Sequence, residues 1–326
     1  MEHYFQAHKT LDLEARRALA SAPFDSVYAL GRTVSLRSDW EAVKLKVMLR
    51  GAKLKYDQHP HLKSALLSTA GRITFTPSAG FWGVDGSGRG ENWNGLIHEL
   101  LRHLYRGEVD AANALAWCVE MRCAQAAAAT GSAPGVALLV LDPQPAFTTG
   151  AWAQSFGDVS PIKDAFRRLS ALARDLDLRA PVLATRCPFQ PPDCDAIDGF
   201  ELVPFTIKPS MDATAYDDER LLAFLGCGVR TLVVGGCTTT SCVRVSSRAI
   251  KKRRPGLDVV CDLSLCAARE SNYLKNAVDD PDLVGIYSHA GCAGKSAVDL
   301  AVDQMRGDGV RVVDRFDWDA ALGPGR

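Results

Sequence analysis

Two patterns of apolar positions divide the chain. In its latter part, short runs of consecutive apolar, often β-branched residues alternate with amphipathic stretches. Residues 136–141, 181–185, 231–234, 258–261 and 310–313 read as strands. Residues 162–176, 217–225, 242–251 and 297–305 carry the spacing of helices with one buried face. Strands that are apolar on both sides and alternate with helices predict a parallel sheet covered on both faces. The first part differs: helical patterns at 11–20, 40–50, 62–68 and 96–105 are separated by loops rich in glycine and proline. It predicts a mostly helical α+β domain. Between the two lies an alanine-rich helical stretch ended by Gly131, Ser132 and Pro134. The expected division is 1–110, a helical connector at 111–133, and 134–326.

Composition narrows the function classes. The 326 residues suffice for two ordinary domains. Basic and acidic residues balance at 38 each, so no strongly basic nucleic-acid surface is expected. The run Lys251, Lys252, Arg253, Arg254 suits a solvated helix end. No stretch has the length of a membrane span and no signal-peptide pattern opens the chain. Ten cysteines without regular dense spacing suit a reducing, cytoplasmic setting with mostly free thiols. Cys187 and Cys194 lack the second pair that a zinc site would need.

The chemistry concentrates at residues 231–247, TLVVGGCTTTSCVRVSS. A buried strand is broken by Gly235 and Gly236. A threonine-rich turn then delivers Cys242 at or just before a helix N-terminus, where the macrodipole favours a thiolate. Cys242 is a candidate nucleophile or, equally simply, a buried structural cysteine. Asp142 follows the first apolar strand and is a turn-capping acid or a general base. Lys208, in FTIKPSMDA, is a surface lysine or the cation that steadies a thiolate and an oxyanion; the pattern puts it in a polar loop before a helix. Of seven histidines only His289 lies beyond the first third, so a base for Cys242 is more naturally a carboxylate. In the first part, Gly83, Gly86, Gly88, Gly90 and Gly95 cluster beside Trp82 and Trp93, forming either a ligand-approaching loop or a surface loop pinned by aromatics.

LLVLDPQPAF, the lysine of FTIKPSMDA and GGCTTTSCVRVSSRAI together resemble the isochorismatase-like cysteine hydrolase superfamily, over roughly residues 136–313. The resemblance implies a Rossmann-like parallel sheet flanked by helices. It implies Asp142 as base, Lys208 as electrostatic partner and Cys242 as nucleophile. It further implies a cis peptide at Cys237–Thr238, an oxyanion hole built from backbone N–H groups of that turn including Cys242, and Gln144 and Phe147 as pocket candidates. Metal-binding relatives carry histidines after the second strand; here ATRCPFQPPDCD has none, so neither metal nor cofactor is expected. The stretch from Cys261 to Lys295 is longer than in short family members and is a candidate pocket wall or lid.

The first 105 residues resemble the NADAR family, N-glycosidase-like domains, through EHYFQ, Gly31, Arg32, Arg37, Asp39, Trp40, Lys44, Trp82, Gly83, Gly90, Asn92 and Gly95. The resemblance implies a ribosyl-binding pocket at Glu2, Lys44, Trp82, Gly83 and Asn92, with a carboxylate able to assist C–N glycosidic cleavage. Two departures stand out. The chain opens directly at EHYFQ, so this domain is expected to be incomplete, and Ala79 stands where the family usually has an aspartate.

Three functions therefore follow as expectations: hydrolysis of a small amide or carbamoyl compound by the second domain, N-glycosidic cleavage of an ADP-ribose-, NAD- or riboflavin-precursor-like compound by the first, or a nucleotide-binding module whose catalytic parts have decayed. The expected partner is a small-molecule substrate, with neither nucleic acid nor membrane. Self-association through the hydrolase domain is expected by analogy.

Overall fold

The computed structural model describes residues 1–76, 80–132, 135–216, 218–278, 283 and 292–323. Ala79, His289 and residues 279–282 and 284–291 of the long 261–295 stretch lie outside the described residues. The chain forms two compact units, Met1–Ala133 and Pro134–Gly325. Among the described residues no helix is long and apolar enough to cross a membrane.

The first unit is built from helices α1 (Glu2–Ala7), α2 (Leu13–Ser21), α3 (Phe24–Leu30), α4 (Trp40–Gln58), α5 (Pro60–Ser68), α6 (Trp93–Arg106) and α7 (Val109–Thr130). Helix α4 runs well past the predicted 40–50 because its apolar face continues through Ala52 and Tyr56. It buries Val43, Leu45, Val47, Met48 and Leu49, and packs against α6 and α7. The alanine-rich α7 is not a free connector: Ala116, Trp117, Val119, Cys123 and Ala124 are buried, and Lys46 of α4 pairs with the buried Glu120 of α7 at 2.8 Å. Small alanines let neighbouring helices approach, and Gly131 ends α7 in the left-handed conformation.

The second unit carries a six-stranded, wholly parallel sheet in the order β3-β2-β1-β4-β5-β6. Its strands are β1 (Val136–Leu141), β2 (Val182–Arg186), β3 (Phe205–Ile207), β4 (Thr231–Cys237), β5 (Asp258–Ala267) and β6 (Arg311–Val313). All six residues of β1 and all but the first of β4 are buried, which is why both appear in the sequence as unbroken apolar runs. Helices α8 (Ala151–Ser155), α9 (Ser160–Leu176), α10 (Asp218–Leu225) and α11 (Arg244–Arg253) follow their strands. Helix α9 buries Ile162, Ala165, Phe166, Leu169, Ala173 and Leu176, a helical stripe that joins the core formed by β1, β2, β4 and β5.

Two details fix the site. The strand order reverses between β1 and β4, so their carboxyl ends open a crevice where such sheets bind ligands. Gly236 makes the tight meeting of those ends feasible. It has φ 112°, and a Cβ there would stand 2.2 Å from Leu141 O. Strand β5 also continues beyond the predicted 258–261. Its register jumps between Val234↔Cys261 and Gly236↔Cys266, and buried Asp262 closes the excursion by accepting from Ser264 and Phe316 N–H groups.

Candidate active site

Asp142 leaves the end of β1 with φ 55°, a left-handed conformation that an aspartate tolerates better than most side chains. The turn puts its carboxylate inside the protein, with 0% of the residue exposed. Thr185, at the end of β2, donates to Asp142 Oδ1 at 2.7 Å and accepts the Asp142 backbone N–H at 3.2 Å. The other carboxylate oxygen, Oδ2, lies 2.8 Å from Lys208 Nζ.

Lys208 follows a strand rather than floating in a polar loop. The three-residue β3 escaped the sequence pattern because it is short and only two of its residues are apolar. Lys208 N–H donates to Arg186 O at 2.8 Å, extending the ladder by one step. Its side chain is 1% exposed. The ammonium donates to Cys242 Sγ at 3.1 Å and to Ser210 O at 3.0 Å, with Cys187 Sγ at 3.6 Å. Asp142, Lys208 and Cys242, which the sequence singled out from distant segments, therefore meet at one point.

Cys242 lies in a wide helical turn, Thr239–Val243, just ahead of α11. The preceding Cys237–Thr238 peptide is cis. The helix-terminus argument predicts a favoured thiolate; the structure reverses that expectation. Burial pushes the Cys242 thiol up to about 11, the charge of Asp142 adds to the rise, and the Lys208 ammonium only partly opposes it. Burial and Asp142 raise Cys187 as well. For Lys208, burial alone would lower the ammonium's pKa, but the negative charge of Asp142 and the neighbouring thiols hold it above the ordinary lysine value. The resting site is thus an Asp142–Lys208 ion pair beside a neutral Cys242 thiol.

Gln144 and Phe147 are both buried. The Gln144 amide is occupied at both ends by the backbone of Cys187, donating to its carbonyl at 2.9 Å and accepting its N–H at 2.7 Å. Phe147 packs against Trp152 and Phe189. Sequence reasoning missed Thr185 and Ser210, and noted Cys187 only as half of an incomplete zinc pair. Only Thr185 left a trace, as a polar residue ending an apolar strand just as Asp142 does. Among the described residues no group of three or more His, Cys, Asp or Glu side chains is arranged to hold a metal ion.

In the first unit, Lys44 pairs with Glu41 at 2.5 Å and lies 3.7 Å over the Phe81 ring. Phe81 meets Trp82 edge-on at 4.9 Å, and Trp82 meets Phe5 at 5.5 Å. Glu2, at the start of the helix that carries Phe5, accepts from Gln6 at 2.6 Å. Gly83 is buried, and a Cβ on Gly90 would lie 2.0 Å from its carbonyl oxygen. Asn92 is fully buried in the left-handed conformation; its amide accepts from Phe75 N–H at 3.0 Å and donates to Ile73 O at 2.7 Å. It ties the 73–75 segment to the start of α6, and Trp93 and Asn94 N–H groups donate to Phe81 O and Trp82 O.

Residues 1–105 match the NADAR domain family. The N-glycosidase YbiA of Escherichia coli is 39% identical over 109 residues, which cover 32% of this chain and 68% of that protein. The chain belongs to the NADAR family. The riboflavin biosynthesis protein PYRR of Zea mays is 36% identical over 128 residues, 34% of this chain; the chain spans only 20% of that protein's length. Among solved structures, an isochorismatase family protein from Desulfovibrio vulgaris is similar at 18% identity and TM-score 0.40, covering 55% of this chain and 93% of that one. The nicotinamidase SaPncA from Staphylococcus aureus is similar at 12% identity and TM-score 0.38, covering 55% and 98%.

Proposed function

We propose that the second unit is an isochorismatase-like cysteine hydrolase that cleaves the C–N bond of a small amide or carbamoyl compound. One observation carries the reading: a single buried ammonium, Lys208, touches both the Asp142 carboxylate at 2.8 Å and the Cys242 sulfur at 3.1 Å. A fully buried acid and amine beside a thiol at the switch point of a parallel sheet suit catalysis better than stability, since buried ion pairs contribute little net stability.

In this mechanism Asp142 accepts the Cys242 thiol proton as Sγ attacks the substrate carbonyl carbon. Lys208 stays protonated and offsets the negative charge passing from carboxylate to sulfur to oxyanion. Backbone N–H groups of the Cys237–Thr238–Cys242 turn receive the oxyanion. The tetrahedral adduct collapses to a thioester, and the amine or ammonia leaves with the proton held by Asp142. Asp142 then takes a proton from water, which attacks the thioester; the sulfur departs and recovers the proton. No metal enters the scheme, and the histidine-free segment after β2 supports that. The test is ammonia release from a panel of small amides: wild type should turn over at least one, and Cys242→Ala none. Equal release by both proteins would remove the reading.

A second reading attaches to the first unit. Family membership and its 39% identity to an N-glycosidase support cleavage of a ribosyl C–N bond, with Glu2 as the carboxylate and the Trp82–Gly83 loop against the base. Glu2→Gln should abolish release of free base from a ribosylated riboflavin precursor or ADP-ribose-like compound, while Cys242→Ala leaves it intact. A Glu2→Gln protein that still releases base would count against this reading.

A further inference from the structure

We propose that Thr185 is a positioning residue that holds the Asp142 carboxylate ionised and aimed at Lys208 and Cys242; this rests on the hydrolase reading above. The geometry is specific. One hydroxyl, 0% exposed, makes both bonds to the same residue: it donates to Oδ1 at 2.7 Å and accepts the backbone N–H at 3.2 Å. The hydroxyl's single proton goes to Oδ1, while a lone pair receives the N–H. Oδ1 is then committed, and Oδ2 is the oxygen left facing the ammonium at 2.8 Å. The hydrogen bond is donated to the charged form of the acid and therefore favours it. The two contacts also brace the left-handed turn at Asp142.

Among the described residues, the titratable groups seen to face the carboxylate are Lys208 after β3, Cys242 in the turn after β4, Cys187 after β2 and Cys237 at the end of β4. Of these only Lys208 is a cation, and it bonds Oδ2. Thr185 supplies the hydroxyl that donates to Oδ1.

The test compares wild type, Thr185→Val and Thr185→Ser. Valine keeps the shape and removes the hydroxyl; serine keeps the hydroxyl. Full-length protein carrying 13C-labelled aspartate is titrated by NMR, with Asp142→Asn identifying the Asp142 side-chain signal. In Thr185→Val the carboxyl should protonate about one pH unit higher than in wild type, the shift expected from losing one hydrogen bond to a charged group. Serine should return it to the wild-type position. The acid limb of kcat/KM on any amide found should move by the same amount. If the valine protein does not fold, Thr185→Ala is titrated in its place with the same expectation. A valine or alanine signal identical to wild type at every pH where both are folded overturns the inference. A serine protein that keeps the valine value overturns it too, by assigning the effect to packing. The titration needs no substrate, so a wild type that hydrolyses no amide sinks the hydrolase reading without deciding the titration.

Discussion

Lys208 Nζ stands 3.1 Å from Cys242 Sγ and is the only influence on that sulfur, among those resolved, that favours the thiolate over burial and the Asp142 charge. Removing it should drive the thiol further from ionisation. With iodoacetamide and site-resolved mass spectrometry, the wild-type Cys242 profile should rise toward a midpoint of about 11. Lys208→Met should move it higher and lower turnover by about 10²-fold or more. A midpoint at or below the wild-type value would show that the ammonium does not govern the sulfur.

The Asp142–Lys208 pair makes a contrasting prediction about stability. Asp142→Asn keeps a side chain that tolerates the left-handed turn, so the loss should be electrostatic. An uncompensated buried ammonium costs about 3–5 kcal/mol. The double variant Asp142→Asn/Lys208→Met removes the stranded charge and should recover much of that loss. Urea midpoints of wild type, Asp142→Asn, Lys208→Met and the double variant decide it. A double variant as unstable as the sum of the single ones would contradict the buried-pair description.

The crevice between β1 and β4 depends on a backbone without a side chain. Gly236→Ala would set a methyl 2.2 Å from Leu141 O at a φ of 112°. The expected loss is at least ~2 kcal/mol, seen as a lower thermal midpoint of the second unit. An alanine protein as stable as wild type would mean that the strand ends part easily.

In the first unit His98 sets an acid limit. Burial first, and then the charge of Lys55, push its imidazole down to about 4, while Tyr56 Oη lies 3.0 Å from Nδ1. The unfolded ring takes up a proton below about 6.5, the folded ring only near 4, so the unfolded state binds more protons in between. The neutral ring's contribution is complete above pH 6.5 and drains away as pH falls toward 4, up to about 3 kcal/mol. Hydrogen exchange of α4 and α6 amides at pH 4.5 and 7 should register the fall in wild type. In His98→Phe the difference should be smaller. Equal pH sensitivity of the two proteins would point to another group.

Much of this arrangement was legible before any coordinates. Strands buried on both faces leave unbroken apolar runs, so β1, β2 and β4 stand out, and a polar residue just past such a run marks the sheet's carboxyl edge, as at Asp142. Short elements leave no period to read: β3 has three residues and α1 and α3 only six and seven. Lys208 therefore looked like a loop residue although a strand delivers it. The ionisation of Cys242 was also hidden. A sequence exposes the helix that follows the sulfur but not the depth at which the sulfur is buried, and that burial raises the thiol's pKa. Thr185 became meaningful only once β2 lay beside β1.

The site residues hang from the ends of β1, β3 and β4, strands brought together only by the finished sheet. A ribosome-bound chain that has emitted Asp142 has an acid without a use, and one that has emitted Cys242 without docking β4 on β1 has an ordinary water-titrating thiol. The contact of Asp142, Lys208 and Cys242 therefore exists only once β4 lies beside β1 and β3 beside β2.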